Sequence, residues 1–224
     1  MSSNRTFEDI KKDVVDQLYW DYRVDASDIT VSFDDGTLVL SGTVPSYTAK
    51  DAAEDDAWSV QGVSILRNDL TVSFPEEFIV PDDEEIKNNV ETSLILNNNI
   101  DSTKFEISVV GGIVSLEGSV DSYWKKLEAE TVAKNKSGVI DVINKIAIVP
   151  TESFIDEDIA EDIVNSLARS VSVDVDNVDV KVKDGVATLS GKVLGWNAYD
   201  AAMDAARYTA GVIDIKDNLI IESM

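Results

Sequence analysis

Nine of the eleven glycines in this chain fall on three equivalent positions of a repeated unit, and that pattern constrains the fold more than any other feature. The repeat is clearest in LVLSGTVPSY (38–47), VSLEGSVDSY (114–123) and ATLSGKVLGW (187–196). Copies one and two superpose at a constant offset of 76 residues, copies two and three at 73. Gly36, Gly112 and Gly185 align, as do Gly42, Gly118 and Gly191, and then Gly62, Gly138 and Gly211. Self-similarity at such a period means one supersecondary unit used three times. The difference in offset lies in linkers marked by Pro75, Pro81 and Pro150, where a missing N–H stops strand pairing. Units of 1–74, 75–150 and 151–224 follow.

Each unit reads as helix, strand, strand, helix, strand. Ile10, Val14 and Leu18 sit four apart, as do Ile86, Val90, Leu94 and Ile159, Ile163, Leu167, giving one apolar stripe on a short helix. The alternation Ile29, Val31, Phe33 has counterparts in Phe105, Ile107, Val109 and in Val178, Val180, Val182. It runs into Asp35-Gly36, Gly111-Gly112 and Asp184-Gly185, the pairs that a two-residue primed hairpin turn requires. The second strand puts Leu38, Leu40, Gly42 and Val44 on one face, the glycine leaving room for a helix or marking a bulge. A second helix is expected after Ser46, Ser122 and Gly195, lying close to the sheet through Ala53/Ala57, Ala129/Ala133 and Ala202/Ala206. Gly62-Val63, Gly138-Val139 and Gly211-Val212 are expected to end it, with glycine as the left-handed terminal residue. A last strand turns Leu66, Leu70 and Val72 inward, matched by Val142, Ile146, Ile148 and by Ile215, Leu219, Ile221. A helical connection makes strands two and three parallel, with a right-handed crossover. The expected class is α+β: three tandem αββαβ units, each a small mixed three-stranded sheet with two helices on one face. Units of about 70 residues are near the size at which one core is marginal.

Histidine and cysteine are both absent. That removes thiol nucleophiles, disulfides, thiolate or imidazole zinc sites and every histidine-based triad. Carboxylate chemistry of the glycosidase or Mg²⁺-phosphotransferase kind stays open in principle. No acid stands out, however, and every repeated glycine has a turn, strand or cap role in place of a phosphate-cradling one. A non-enzymatic protein with no cofactor is expected. The net charge of -24 repels phosphate backbones and anionic lipid, which excludes nucleic acid as a partner of the bulk surface; solubility is its plainer consequence. No apolar run reaches the roughly 18 residues that span a bilayer. The first twenty residues lack the basic start and apolar stretch of a secretory signal. The chain as written is therefore expected in the cytoplasm, and in the periplasm if it is a mature form.

The segments DDGTLVLSGTV (34–44), VGGIVSLEGSV (110–120) and KDGVATLSGKV (183–193), with GVSILRNDLTV (62–72), GVIDVINKIAI (138–148) and GVIDIKDNLII (211–221), resemble the BON domain. This is the bacterial osmotic-stress and nodulation domain, also described as transport-associated, and the resemblance covers nearly the whole chain in three copies. It implies an α/β sandwich without a known catalytic centre, in periplasmic or envelope proteins induced by osmotic stress. Phospholipid attachment, chaperone-like protection and potassium sensing are attributed to various members. This chain departs from the pattern in showing no export signal or lipoprotein cysteine, no peptidoglycan-binding or outer-membrane module, and a charge opposed to anionic lipid. The resemblance implies a stress-associated interaction module that contacts a protein or membrane-envelope component. The alternative is a protein that binds K⁺ or Ca²⁺ weakly through its acidic faces. A KH-like RNA fold shares part of the element order, but the basic GxxG loop is missing and the charge is wrong.

Three sets of residues are candidate sites, each with a structural account beside the functional one. Asn68, Asn144 and Asp217 occupy an inward strand position where alternation calls for an apolar residue. They either line a polar pocket or satisfy a backbone group at a bulge or helix end. Tyr47, Tyr123 and Trp196 are equivalent at the start of the second helix, with Trp124 following Tyr123. They either meet a partner or interface, or cover the sheet edge. Tyr19, Trp20 and Trp58 have no aromatic counterparts in the other copies and are the better specificity candidates. Acids cluster at Asp82, Asp83, Glu84 and Glu85, at Glu54, Asp55 and Asp56, and at Asp156, Glu157 and Asp158. Such clusters hold Ca²⁺ or K⁺ loosely or simply open helices. The DVDNVD run from Asp174 fails as an EF-hand loop, having Asp179 at the sixth position and Gly185 at the twelfth.

Overall fold

The structure is a computed structural model that describes residues 5–222. Residues 1–4, which open both the stretch read for a leader and the first unit, lie outside the described residues, as do 223–224, which close the third. The first repeat comprises α1 (Phe7–Trp20), a 3-10 turn (Ala26–Asp28), β1 (Ile29–Asp34), β2 (Thr37–Val44), α2 (Tyr47–Ser59) and β3 (Leu66–Val72). The second comprises α3 (Asp83–Ile95), a 3-10 turn (Ser102–Lys104), β4 (Phe105–Val110), β5 (Ile113–Val120), α4 (Tyr123–Lys134) and β6 (Asp141–Ile148). The third comprises α5 (Asp156–Arg169), a 3-10 turn (Val175–Asn177), β7 (Val178–Lys183), β8 (Val186–Leu194), α6 (Trp196–Arg207) and β9 (Asp214–Glu222).

Three separate sheets result, ordered β1-β2-β3, β4-β5-β6 and β7-β8-β9. β1 and β2 pair antiparallel and β2 and β3 parallel; β4, β5 and β6 repeat that arrangement. β7 and β8 are antiparallel as well. The hairpin turns carry positive φ at both central residues: 47° and 81° at Asp35-Gly36, 58° and 79° at Gly111-Gly112, 52° and 73° at Asp184-Gly185. That is the primed turn whose twist matches the strands it joins. By compactness the chain divides into two units, one holding the first repeat together with Leu194–Asn197, the other Pro81–Val193 with Ala198–Ile220.

In the first two repeats the core lies between one sheet face and its two helices. In the first repeat Ile10, Val14 and Leu18 of α1 meet Val31, Leu38, Leu40 and Leu70, and the small side chains Ala49, Ala52, Ala53 and Ala57 bring α2 in close. The second repeat buries Ile86, Val90, Leu94, Ile107, Val114, Leu116, Ala129, Ala133 and Ile146 in the same way. Leu18, Leu38, Leu40 and Leu70 are almost wholly buried, and each contributes about 2–3 kcal/mol of hydrophobic stabilisation. α1 opens with a capping box: Asp9 N–H donates to Thr6 Oγ1 at 3.2 Å, and Thr6 N–H donates to Asp9 Oδ2 at 3.0 Å. Among the described residues no helix is long and apolar enough to cross a membrane.

Two of the glycine expectations are corrected. The space at Gly42 serves no bulge, because the register with β3 runs unbroken through Gly42↔Leu70, and no α-helix, because a single 3-10 turn fills it. The carbonyl of Asp28, closing the 3-10 turn, stands there instead: a Cβ on Gly42 would lie 2.0 Å from its oxygen. Gly118 and Gly191 face the carbonyls of Lys104 and Asn177 in the same manner. The second correction concerns Gly62, Gly138 and Gly211, which do not end the helices. α2, α4 and α6 stop at Ser59, Lys134 and Arg207. The chain then makes one more tight turn, closed by Val63 N–H to Val60 O, Val139 N–H to Lys136 O and Val212 N–H to Thr209 O. The glycine is the third residue of that turn, a place that calls for positive φ.

Candidate contact surface

The end of α1 in the first repeat displays three aromatic side chains. Tyr19 is 74% exposed, Trp20 80% and Tyr22 105%. The Tyr19 and Trp20 rings meet edge to face, with centroids 5.7 Å apart. Large apolar area left in water at one corner is the usual mark of a contact surface. The aromatic rings, though not the exposed apolar corner itself, are particular to this repeat: the counterparts of Tyr19 and Trp20 are Ile95 and Leu96 in the second repeat, themselves 69% and 73% exposed, and Ala168 and Arg169 in the third. Tyr22 escaped the sequence reading, although its adjacency to Tyr19 and Trp20 was a usable signal.

The other aromatics are placed differently. Tyr47, Tyr123 and Trp196 are the first residues of α2, α4 and α6, and each is half-buried. Burial, with the charge of Asp214 adding to it, pushes the Tyr123 hydroxyl up. Within the first compact unit the Trp58 and Trp196 rings stack, 4.4 Å apart and 9° from parallel. The cleft beside them is only about 140 Å³, below the size of an ordinary ligand site. Trp124 is half-buried and has Lys125 Nζ 5.7 Å from its ring centre.

The polar strand residues form brackets between the second helix and the last strand of each repeat; Asn68 and Asn144 are half-buried as expected, whereas Asp217 is exposed. Asn68 Nδ2 donates to Glu54 Oε2 at 2.8 Å and reaches the Lys50 carbonyl at 3.5 Å, while Leu70 N–H donates to Asn68 Oδ1 at 3.1 Å. Asn144 does the same with Glu130 Oε2, the Lys126 carbonyl and Ile146 N–H, at 3.0, 2.9 and 3.1 Å. In the third repeat the partners change type. Tyr199 stands where Lys50 and Lys126 stand, and its hydroxyl donates to Asp217 Oδ2 at 2.6 Å, with Leu219 N–H donating to Asp217 Oδ1 at 2.9 Å. Burial, followed by the Asp217 bond, drives the Tyr199 hydroxyl far up. All three polar residues thus have partners within their own repeat.

The acidic clusters separate into distinct roles. Asp83, the first residue of α3, accepts from Gly111 N–H and Gly112 N–H at 2.8 and 2.9 Å and so clamps the hairpin turn. Asp156 accepts from Asp184 N–H and Gly185 N–H at the same distances. In the first repeat this place belongs to Phe7, whose ring stacks on Phe33 with centroids 4.6 Å apart. Asp174, in the rejected EF-hand run, caps a 3-10 turn through Asp176 N–H, as Asp25 and Asp101 cap theirs. Glu54 belongs to the Asn68 bracket, whereas Asp56 is buried against α1. Among the described residues no group of three or more acids converges as metal ligands.

Fold and surface together define a class: a tandem α+β repeat scaffold in which one repeat carries side chains that the shared architecture does not require. The chain belongs to the BON domain family, whose model matches residues 7–73, 82–150 and 155–223. It is 29% identical over 144 residues to osmotically-inducible protein Y of Escherichia coli (strain K12), covering 62% of this chain and 72% of that protein. It is also 29% identical over 124 residues to an uncharacterized protein in the gshII 5' region of Anaplasma centrale, covering 54% and 82%. The C-terminal domain of CdsD, a structural protein of the type III secretion system of Chlamydia trachomatis, aligns over 99% of this chain and 100% of its own. The two are 16% identical and superpose with a TM-score of 0.27.

Proposed function

We propose that this chain acts in the osmotic-stress response as a non-catalytic interaction module, engaging a protein partner through the aromatic corner of its first repeat. The stress setting comes from family membership and from the similarity to osmotically-inducible protein Y. The observation that carries the contact reading is the exposure of Tyr19, Trp20 and Tyr22 together, at positions the sister repeats fill with other residues. Tyrosine and tryptophan bury much area at low entropic cost, which suits them to anchoring a partner. The charge of -24 weighs against anionic membrane as that partner. The test joins complementation with sedimentation. In a strain lacking the gene, wild type is expected to restore growth at high osmolarity, while a Tyr19→Ala/Trp20→Ala/Tyr22→Ala variant with unchanged melting temperature does not. Full rescue by that variant refutes the contact reading. Strong co-sedimentation of wild type with anionic vesicles at low salt, lost in the variant, replaces the protein partner with a lipid one.

A further inference from the structure

Among the described residues Asp56 is the charged side chain that is buried, 5% exposed in the middle of α2. Its counterparts in the sister repeats are Val132 and Ala205, so the fold itself asks for an apolar group at this place. One oxygen, Oδ1, accepts from Gln17 Nε2 of α1 at 3.0 Å. The other, Oδ2, is out of reach of solvent, and no donor approaches it. The carboxylate whose charge bears on Asp56 is that of Asp21, the C-terminal cap of α1. Two ionised carboxylates repel at close approach, whereas one proton between them turns repulsion into an O–H···O⁻ hydrogen bond.

The surroundings decide which residue keeps the proton. Arg23 holds Asp21 as a carboxylate: its Nη2 lies 2.6 Å from Oδ2, its Nε 3.0 and 3.1 Å from the two oxygens, and its backbone N–H donates to Oδ1 at 2.7 Å. Asp56 has no cation bonded to it and is buried on α2 against α1. We propose that Asp56 and Asp21 share one proton, held on the buried Asp56 and accepted by Asp21, and that this pair makes the α1–α2 corner of the first repeat a proton-responsive joint. Sister repeats cannot form it, having Asn97 and Ser170 in place of Asp21.

Burial is the largest influence on Asp56 and pushes its carboxyl up; Gln17 opposes, and the Asp21 charge adds to the rise. The charged groups around it are Asp21 and Arg23 from the α1 side and Asp55 on its own helix, whose charge also reaches Arg23. On the sheet side Glu54 is tied to Asn68. The sign follows from the direction of the rise. The native state holds the Asp56 proton at pH values where the unfolded chain has lost it. Stability from this group is thus full below the ordinary aspartate value near 3.9 and falls as pH rises through the native midpoint. This is the reverse of ordinary acid denaturation. Ionisation places a charge in the helix seam and loosens the corner that displays Tyr19, Trp20 and Tyr22. The proton pair stands or falls independently of whether those aromatics bind a partner.

The test is a pH titration of the aspartate carboxyl carbons in the intact protein by NMR, with melting curves for wild type, Asp56→Asn, Asp56→Val and Asp21→Asn. Asp56 is expected to titrate above the surface aspartates, with a coupled inflection at Asp21 that vanishes in Asp56→Asn. Asp21→Asn is expected to lower the Asp56 midpoint. Asp56→Asn, the neutral counterpart of the acid, and Asp56→Val, the residue of the second repeat, are expected to raise the melting temperature at neutral pH by several degrees and to flatten its decline with pH. Asparagine changes one atom, so a folding failure in the valine variant leaves the comparison intact. An Asp56 midpoint among those of the surface aspartates, or a lower melting temperature for Asp56→Asn at neutral pH, overturns the proposal.

Discussion

Gly42→Ala and Gly36→Ala differ in one physical respect, and their comparison isolates it. Both glycines have positive φ, +118° and +81°, so a methyl group brings backbone strain of about 1–2 kcal/mol at either site. At Gly36 nothing lies within 4 Å of the added carbon, and that strain is the whole cost. At Gly42 the carbon would stand 2.0 Å from the Asp28 carbonyl oxygen, against an ordinary C···O contact of about 3.3 Å. The 3-10 turn or the strand must give by more than about 1 Å. The strand cannot do so easily, because Gly42 pairs with Ile29 on one side and Leu70 on the other. Prising the turn away breaks the start of β1, which takes the total to about 4–5 kcal/mol. Domains are stable by about 5–15 kcal/mol, and a unit of this size lies at the low end, so Gly42→Ala is expected to unfold the first repeat at moderate temperature. Urea titration of the full chain, followed by circular dichroism and tryptophan emission, reads the difference. Equal midpoints for the two variants refute the close-approach argument.

Asn144→Ala removes three hydrogen bonds, two that tie β6 to α4 and one within β6, and is expected to cost about 2–3 kcal/mol by urea denaturation, more than replacing a surface asparagine such as Asn98. Asp83→Ala frees the two hairpin N–H groups of Gly111 and Gly112; a loss of about 2 kcal/mol is expected, with faster amide exchange at those two residues. The Thr103 hydroxyl holds Asp101 below the usual carboxylate range, so the stabilisation from their bond is present above the ordinary aspartate value and fades as pH falls through the lowered native one. Thr103→Val is accordingly expected to trail wild type at neutral pH and to converge with it once the pH lies below the lowered native value, as read from urea midpoints against pH.

The repeat carried most of the architecture. Once Gly36, Gly112 and Gly185 were aligned, the primed hairpins, the alternating strands and the four-residue helix stripes came from short-range periodicity, which a linear text preserves. Side-chain pairing across the fold did not come through as well. The brackets pair Asn68 with Glu54 and Asn144 with Glu130, fourteen residues apart in each case, a shared spacing that the sequence displays. The clamp from Asp83 to Gly111 and Gly112 spans twenty-eight and twenty-nine residues, and its first-repeat absence is explained by Phe7 stacking on Phe33. Asp56 was grouped with Glu54 and Asp55 because adjacent acids look alike in a string; a helix turns each of them toward a different neighbour. Comparison with Val132 and Ala205 would have singled it out. The glycine after the second helix was misplaced because a helix cap and a further tight turn both require positive φ.

Amide hydrogen exchange on Gly42→Ala tests most directly the central claim that the first repeat packs a core of its own. The account predicts that protection at Leu40 falls sharply while Leu116 and Leu189, the equivalent strand centres, exchange as slowly as in wild type. Equal loss of protection at all three leucines would mean one shared core and would contradict it.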